Sequence, residues 1–321
     1  MRAIVVAGFL TCATVLAQPL AQRIGHTDPA KYNVSKPVHA GAGELHYMTL
    51  LPRDAVTDLR FMHRGIILPK SGIGHHFHND SEEMFLIFGG EAEFTVNGRT
   101  SRVQGPVGVP SKAGYSHAIY NPGNRPLEWM NINFRAPNAP AALPMPAGGP
   151  QARGGAPARG GAPGRGGFSY TMDPTATFDL GDDRVGVPLD PVPVFITSRL
   201  YKDLLQPVAG MNGGKGTVLT RRVLGPAVYV GNWAFVDHLV LPPGSSVGRH
   251  RHQGVEEIYY VMNGEGTVTV GAETAPIRRY DAVPIRAKEV HSLENTSPLD
   301  LELMVVGVAL EKGKLDIEDV R

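Results

Sequence analysis

The amino-acid sequence predicts an all-β protein made of two closed antiparallel β-barrels of one design. Three observations carry that expectation. His76, His78, Glu83 and His117 recur as His250, His252, Glu257 and His291, each shifted by 174 positions. The same shift carries Pro69 to Pro243, Gly74 to Gly248, Glu82 to Glu256, Gly90 to Gly264, Pro110 to Pro284 and Asn121 to Asn295, so a duplicated domain is the economical reading. Outside one biased segment, the apolar residues come in short alternating or continuous runs punctuated by Gly, Pro and Asn, which is the signature of strands and tight turns.

Residues 1–17 open with Arg2, run apolar from Ala3 to Leu16 and end at Ala17. This is the layout of a secretory signal cleaved after Ala17, and the run falls short of the ~20 residues of a spanning helix. The expected location is periplasmic or extracellular, with no membrane attachment after cleavage. Cys12, the single cysteine, lies in this run, so the mature chain is expected to hold no disulfide.

The N-terminal domain is placed at 18–139, with strands at Met84–Phe88, Ala92–Val96 and Val107–Pro110. Asn97-Gly98 is a tight-hairpin signal, because both residues accept a positive φ. From Pro140 to Gly167 the chain turns to Ala, Pro, Gly and Arg, with little to bury, and 140–168 reads as a flexible linker between the halves. The C-terminal domain is placed at 169–321. Its strands are expected at Ile258–Met262, Thr267–Val270, Ala282–Ile285 and Leu301–Val308, with a second tight hairpin at Asn263-Gly264 and a short helix over Ser198–Leu205. Closing each sheet into a barrel removes the edges that many short strands would expose.

The chain is 42% apolar and 19% charged, with a formal net charge of +1. Such a balance offers no electrostatic case for nucleic acid or a membrane surface as partner. A small-molecule substrate is expected instead, and a homo-oligomer is allowed.

Side chains alternate faces along a strand, so His76 and His78 share one side, as do His250 and His252. Asn79-Asp80-Ser81 is turn chemistry that folds Glu83 back toward the same interior. His117 and His291 arrive from a distant strand. Buried imidazoles and a carboxylate are expensive without a partner, and one divalent cation satisfies all four. Three imidazoles and a carboxylate, with no thiolate, suit iron, manganese, nickel, cobalt, copper or zinc, one ion per domain. Four protein ligands leave two adjacent positions for a substrate oxygen pair. Tyr259 lies on the same face as Glu257, where the first half offers Phe85, so the second pocket is expected to be the principal active site with Tyr259 as its catalytic candidate. Of Asp237 and His238, alternation lets at most one enter a pocket. Glu82 and Glu256 face away from the ligands, as solvated or paired groups.

Both halves resemble cupin domains. Gly244, His250, His252, Glu257, Gly264, His291 and Asn295 fit the two motifs of that family, as do His76, His78, Glu83, Gly90, Gly114, His117 and Asn121. Lys70 stands where the opening glycine is expected, and Tyr280, Arg286 and Lys288 replace Gly, Pro and Gly in the second half. The resemblance implies a bicupin of two metal-binding double-stranded β-helices, or jelly rolls. Its leading functional implication is an oxidoreductase of dioxygenase type. A redox-neutral decarboxylase of oxalate type or a sugar isomerase is the second, and a small-ligand binding protein without turnover the third.

Overall fold

A computed structural model of the protein describes residues 18–137 and 177–320. The expected signal at 1–17 and linker at 140–168 lie outside the described residues. Each half is a barrel of one seven-stranded and one five-stranded antiparallel sheet. In the first half, the strands Gly72–His78, Ser116–Tyr120, Glu91–Val96 and Arg99–Gln104 build the smaller sheet, and Ser81–Ile87 and Leu127–Arg135 lie centrally in the larger. In the second half, Ser246–Arg251, His291–Glu294, Glu265–Val270 and Glu273–Arg278 correspond to the smaller sheet, and Val255–Asn263 and Leu301–Ala309 lie within the larger.

Three cores account for the strand pattern. Phe85, Ile87, Phe94 and Trp129 fill the first barrel, and Tyr259, Val261, Leu293 and Val305 fill the second. The third core lies between the halves, where Met84, Leu86, Ile132 and Phe134 meet Ile258, Tyr260, Trp233 and Val306. The larger sheets are therefore covered on both faces. This explains why Leu301–Ala309, buried at every position, reads as an apolar run interrupted only by Glu302 and not as an alternating one.

The halves also exchange strands. Gly25–His26 pairs with Asp281–Ile285 of the second barrel, and Ser198–Arg199 pairs with Val107–Ser111 of the first. Thr177–Asp179 pairs with Gly72–His78, again in the first barrel. The expected boundary at residue 169 therefore does not follow the strand pairing: the biased segment falls inside the set of residues that build the first barrel. Carboxylates repeat the exchange, since Glu82 accepts from the backbone N–H of Val230 and Gly231 (2.6 and 2.7 Å), and Glu256 accepts from that of Thr57. Both are paired and buried, not solvated.

Two local expectations are corrected. The helix over Ser198–Leu205 is a two-residue strand followed by a 3-10 turn at Lys202–Leu204, because the edge of the first barrel captures the Ser198 backbone. Asn97-Gly98 is a tight hairpin, with φ of 49° and 75°. Asn263-Gly264 is not, since it carries the chain from one sheet to the other. The second-half hairpin falls between Val270 and Glu273, at Gly271.

Candidate metal centres

Each quartet assembles from both sheets of its barrel. His76 and His117 are direct partners across two strands of the smaller sheet, as are His250 and His291. His78 and His252 follow two residues on, and the Asn79-Asp80 turn carries the chain to the facing sheet, which presents Glu83. One ligand atom from each member of either quartet lies within 4.8 Å of the others, and all eight residues are buried. A bulge precedes the first histidine in both halves. It needs Gly74 and Gly248, where a Cβ would lie 2.0 Å from the carbonyl oxygens of His39 and Asn212. His75, in the first bulge, turns outward to Ser116 and Asp182 (2.9 and 3.2 Å).

The hydrogen bonds around the rings test whether a cation fits. In the first site, Nδ1 of His76 meets the Gly74 carbonyl (2.8 Å), Nδ1 of His78 meets Thr177 Oγ1 (2.9 Å) and Nδ1 of His117 meets Ser111 Oγ (2.9 Å). In the second, Nδ1 of His250, His252 and His291 meets the carbonyls of Gly248 (2.9 Å), Asp316 and Glu289 (3.0 Å). Where a carbonyl receives the Nδ1–H, the Nε2 lone pair is left facing inward, as metal-bound histidines require. His78 Nε2 is buried without hydrogen-bonding geometry, although Glu83 Oε1 is 3.1 Å away. Nε2 of His117 and of His291 faces a carboxylate oxygen at 3.2 and 2.9 Å, acceptor against acceptor in the tautomer that carries its proton on Nδ1. Burial lowers His291 but Glu257 raises it overall, so a proton answers the clash at that ring. Extra protons on every ring are not the remedy, because burial holds His76 well below its ordinary value and brings His250 down to about 4. A single divalent cation meets every lone pair, so the donor sets fit one ion per domain.

Around identical ligands the two sites differ. Burial pushes the Glu83 carboxyl up, but His78 and His117 outweigh it and hold the group well below its usual range. The amides of Asn133 and Asn131 donate to its two oxygens at 2.7 and 3.1 Å. His39 stacks on His76 at 3.9 Å, anchored to Asp179 at 2.6 Å. His63 stacks on Phe61, and burial brings it down to about 4. In the second site, burial raises Glu257, but its hydrogen bond and charge pairing with His291 bring it to about 2. The Tyr259 hydroxyl donates to Glu257 at 2.9 Å and lies 3.2 Å from His291 Nε2.

A cavity of about 290 Å³ opens beside this second quartet and includes Tyr259 in its lining. Asp237 enters the same cavity, while His238 turns to the opposite side and pairs with Glu302 at 2.8 Å. Asp237 holds Arg222 through two hydrogen bonds (2.9 and 3.0 Å), and the guanidinium lies 4.3 Å over the Phe235 ring. Sequence reasoning missed Arg222, Asn131, Asn133, His39 and His63. At the shifted positions stand Met48, Val305, Gly307, Gly213 and Asp237, so no repeat points to them.

Comparison with known proteins agrees with this geometry. The cupin domain profile matches residues 64–133 and 237–307. An oxalate-binding protein of Thermotoga maritima is 38% identical over 103 residues, covering 32% of this chain and 85% of the relative. The tetracenomycin polyketide synthase protein TcmJ of Streptomyces glaucescens is 30% identical over 105 residues, 32% of this chain and 70% of its own. Among solved structures, the Lactobacillus farciminis oxalate decarboxylase formate complex superposes over 92% of this chain and 88% of its own, with a TM-score of 0.56 at 16% identity. Bacillus subtilis oxalate decarboxylase does so over 89% and 78%, with a TM-score of 0.53 at 18% identity. These two structures speak for the fold alone. With two domain matches, this two-barrel architecture and one ligand quartet in each barrel, the chain belongs to the cupin family as a bicupin.

Proposed function

We propose that the protein is a metal-dependent enzyme that takes a small carboxylic acid into its C-terminal barrel and cleaves it in a redox-neutral, decarboxylase-type reaction. The observation that carries this reading is Arg222, a guanidinium on the wall of the cavity beside His250, His252 and Glu257. Its planar fork of donors matches a carboxylate, and the Asp237 carboxylate already occupies it in that manner. The names of the sequence relatives support a small-acid ligand, since one of them is an oxalate-binding protein. None of those names supports the dioxygenase implication of the sequence.

The eight quartet residues would hold the ions, and a bound divalent ion supplies Lewis acidity toward a substrate oxygen. The chain's own groups supply the rest. Arg222 orients the substrate carboxylate through Nη1, the nitrogen that Asp237 does not engage. Tyr259 keeps its proton, because burial, with Glu257 beside it, pushes the phenol well above its usual value, and it steadies Glu257 by donating to it. Loss of CO2 breaks a carbon–carbon bond and leaves the electron pair on the retained carbon, which takes up a proton; no oxidant is consumed. Asp237 stands on the cavity wall with its carboxyl raised by burial despite Arg222, and would relay that proton from water.

The test uses natively purified, metal-containing protein with oxalate and with 2-oxo acids under nitrogen. CO2 release without oxygen, and no oxygen uptake in air, are expected. Arg222→Gln should lose at least about tenfold in kcat/KM with unchanged metal content, the weight of one charge-assisted pair. Oxygen consumed in step with substrate would return the dioxygenase reading, and saturable binding without product would make the protein a binding module.

A further inference from the structure

We infer that the acid accepted by the C-terminal barrel carries an apolar tail beyond its carboxylate and adjacent oxygen, and that oxalate is not the preferred ligand. The inference rests on the carboxylate reading above and extends it to substrate class.

Size is the first ground. A cavity of about 290 Å³ is many times the ~10–15 Å³ needed to hold one water, and oxalate has no carbon beyond its two carboxylates to occupy the remainder. The walls are the second. In the first barrel Asn131 and Asn133 turn their amides onto Glu83, whereas the shifted positions in the second are Val305 and Gly307. Val305 lines the cavity, and the bare Gly307 backbone makes room for the Phe235 ring, which would lie 2.5 Å from any Cβ there. Beyond the ligands, Tyr259, Arg222 and Asp237, the polar residues of the lining are Asn212 and Asp316, and the remaining wall is hydrocarbon.

The mouth is the third ground. The C-terminal segment is pinned at Asp316, whose carbonyl accepts from His252 Nδ1 and whose carboxylate accepts from the Gly254 N–H at 3.1 Å. Pinning Asp316 leaves Leu315 and Ile317 on the cavity rim, 41% and 56% exposed. A hydrocarbon rim above a guanidinium and a set of metal ligands complements an amphipathic acid, polar at its inner end and apolar toward the entrance.

Calorimetry on the natively purified, metal-containing protein tests this with oxalate, pyruvate, 2-oxobutanoate, 2-oxopentanoate and 2-oxohexanoate. Kd is expected to fall by about two- to fourfold with each added methylene, as burial of hydrocarbon requires, leaving 2-oxohexanoate at least about tenfold tighter than oxalate. The Leu315→Ser, Ile317→Ser double variant, changed only at exposed side chains, should flatten the series and leave pyruvate unchanged. A flat series in the wild type with oxalate bound as tightly as any acid overturns the tail inference and spares the carboxylate reading. Failure of every acid to bind overturns both.

Discussion

Tyr259 connects two ligands of the second quartet, donating to Glu257 while its oxygen stands 3.2 Å from His291. Tyr259→Phe keeps the ring and removes the donor, so metal affinity or turnover should fall by about ten- to a hundredfold, as for other groups that orient metal ligands. Titration with a chelator of known affinity separates the two effects. His250→Ala should abolish turnover, whereas His76→Ala should retain it while metal content drops from about two ions per chain to one. Elemental analysis and rate are measured on the same sample, and the reverse outcome would make the first barrel the active one. A third residue-scale test concerns Lys288, exposed and held at a φ of 71°, where the family pattern has glycine. Relief of that backbone strain in Lys288→Gly should raise Tm by about 1–2 °C in a calorimetric scan. The eight ligands were readable in the sequence because the duplication preserved their spacing. Arg222, Asn131, Asn133, His39 and His63 were not, because they are where the two copies have diverged, and a repeat reveals only what it keeps.

Strands were readable wherever burial was strong. Val255–Asn263 and Leu301–Ala309 extend the expected apolar runs by only a few residues, since packing on both faces keeps their buried positions apolar except at the paired Glu256, Glu257 and Glu302. Connections were harder. Asn263-Gly264 has the composition of a hairpin, but hairpin formation depends on which strand lies alongside, and that strand is fixed by contacts distant in sequence. Ser198–Leu205 has a helical composition that a long-range edge pairing overrides. The same cross-connections give a stability test. Glu82→Ala would leave the part-buried N–H of Val230 and the buried N–H of Gly231 without their acceptor. A loss of about 2 kcal/mol or more is expected from guanidinium unfolding, the cost of stranding buried donors.

At the scale of the whole molecule, pH reports on the buried rings. His63 and His250 are brought by burial from 6.5 to about 4. The unfolded chain takes up protons at these rings near 6.5 and the folded protein only near 4, so their stabilisation is full above about 6.5 and is lost as pH falls toward 4. Burial lowers His291 as well, but hydrogen bonding and charge from Glu257 outweigh it and raise its value. Its contribution has the opposite sign: present below 6.5 and lost as pH rises through the folded value. Glu257, brought to about 2, loses its share only as pH falls from 4.5 toward 2. Chelator-treated protein should therefore show a falling Tm from pH 6.5 to 4. Untreated protein should fall more steeply, because protons also displace the ions.

The exchanged arms have a consequence for how the molecule comes apart. Proteolysis anywhere between residues 137 and 177 would yield two fragments, the earlier holding Gly25–His26, which belongs to the later one's sheet, and the later holding Thr177–Asp179 and Ser198–Arg199, which belong to the earlier one's. Neither fragment would own a complete barrel. Nicked protein should therefore migrate on gel filtration with the uncut chain and separate only in denaturant, the behaviour of a two-fold dimer whose subunits happen to share one backbone.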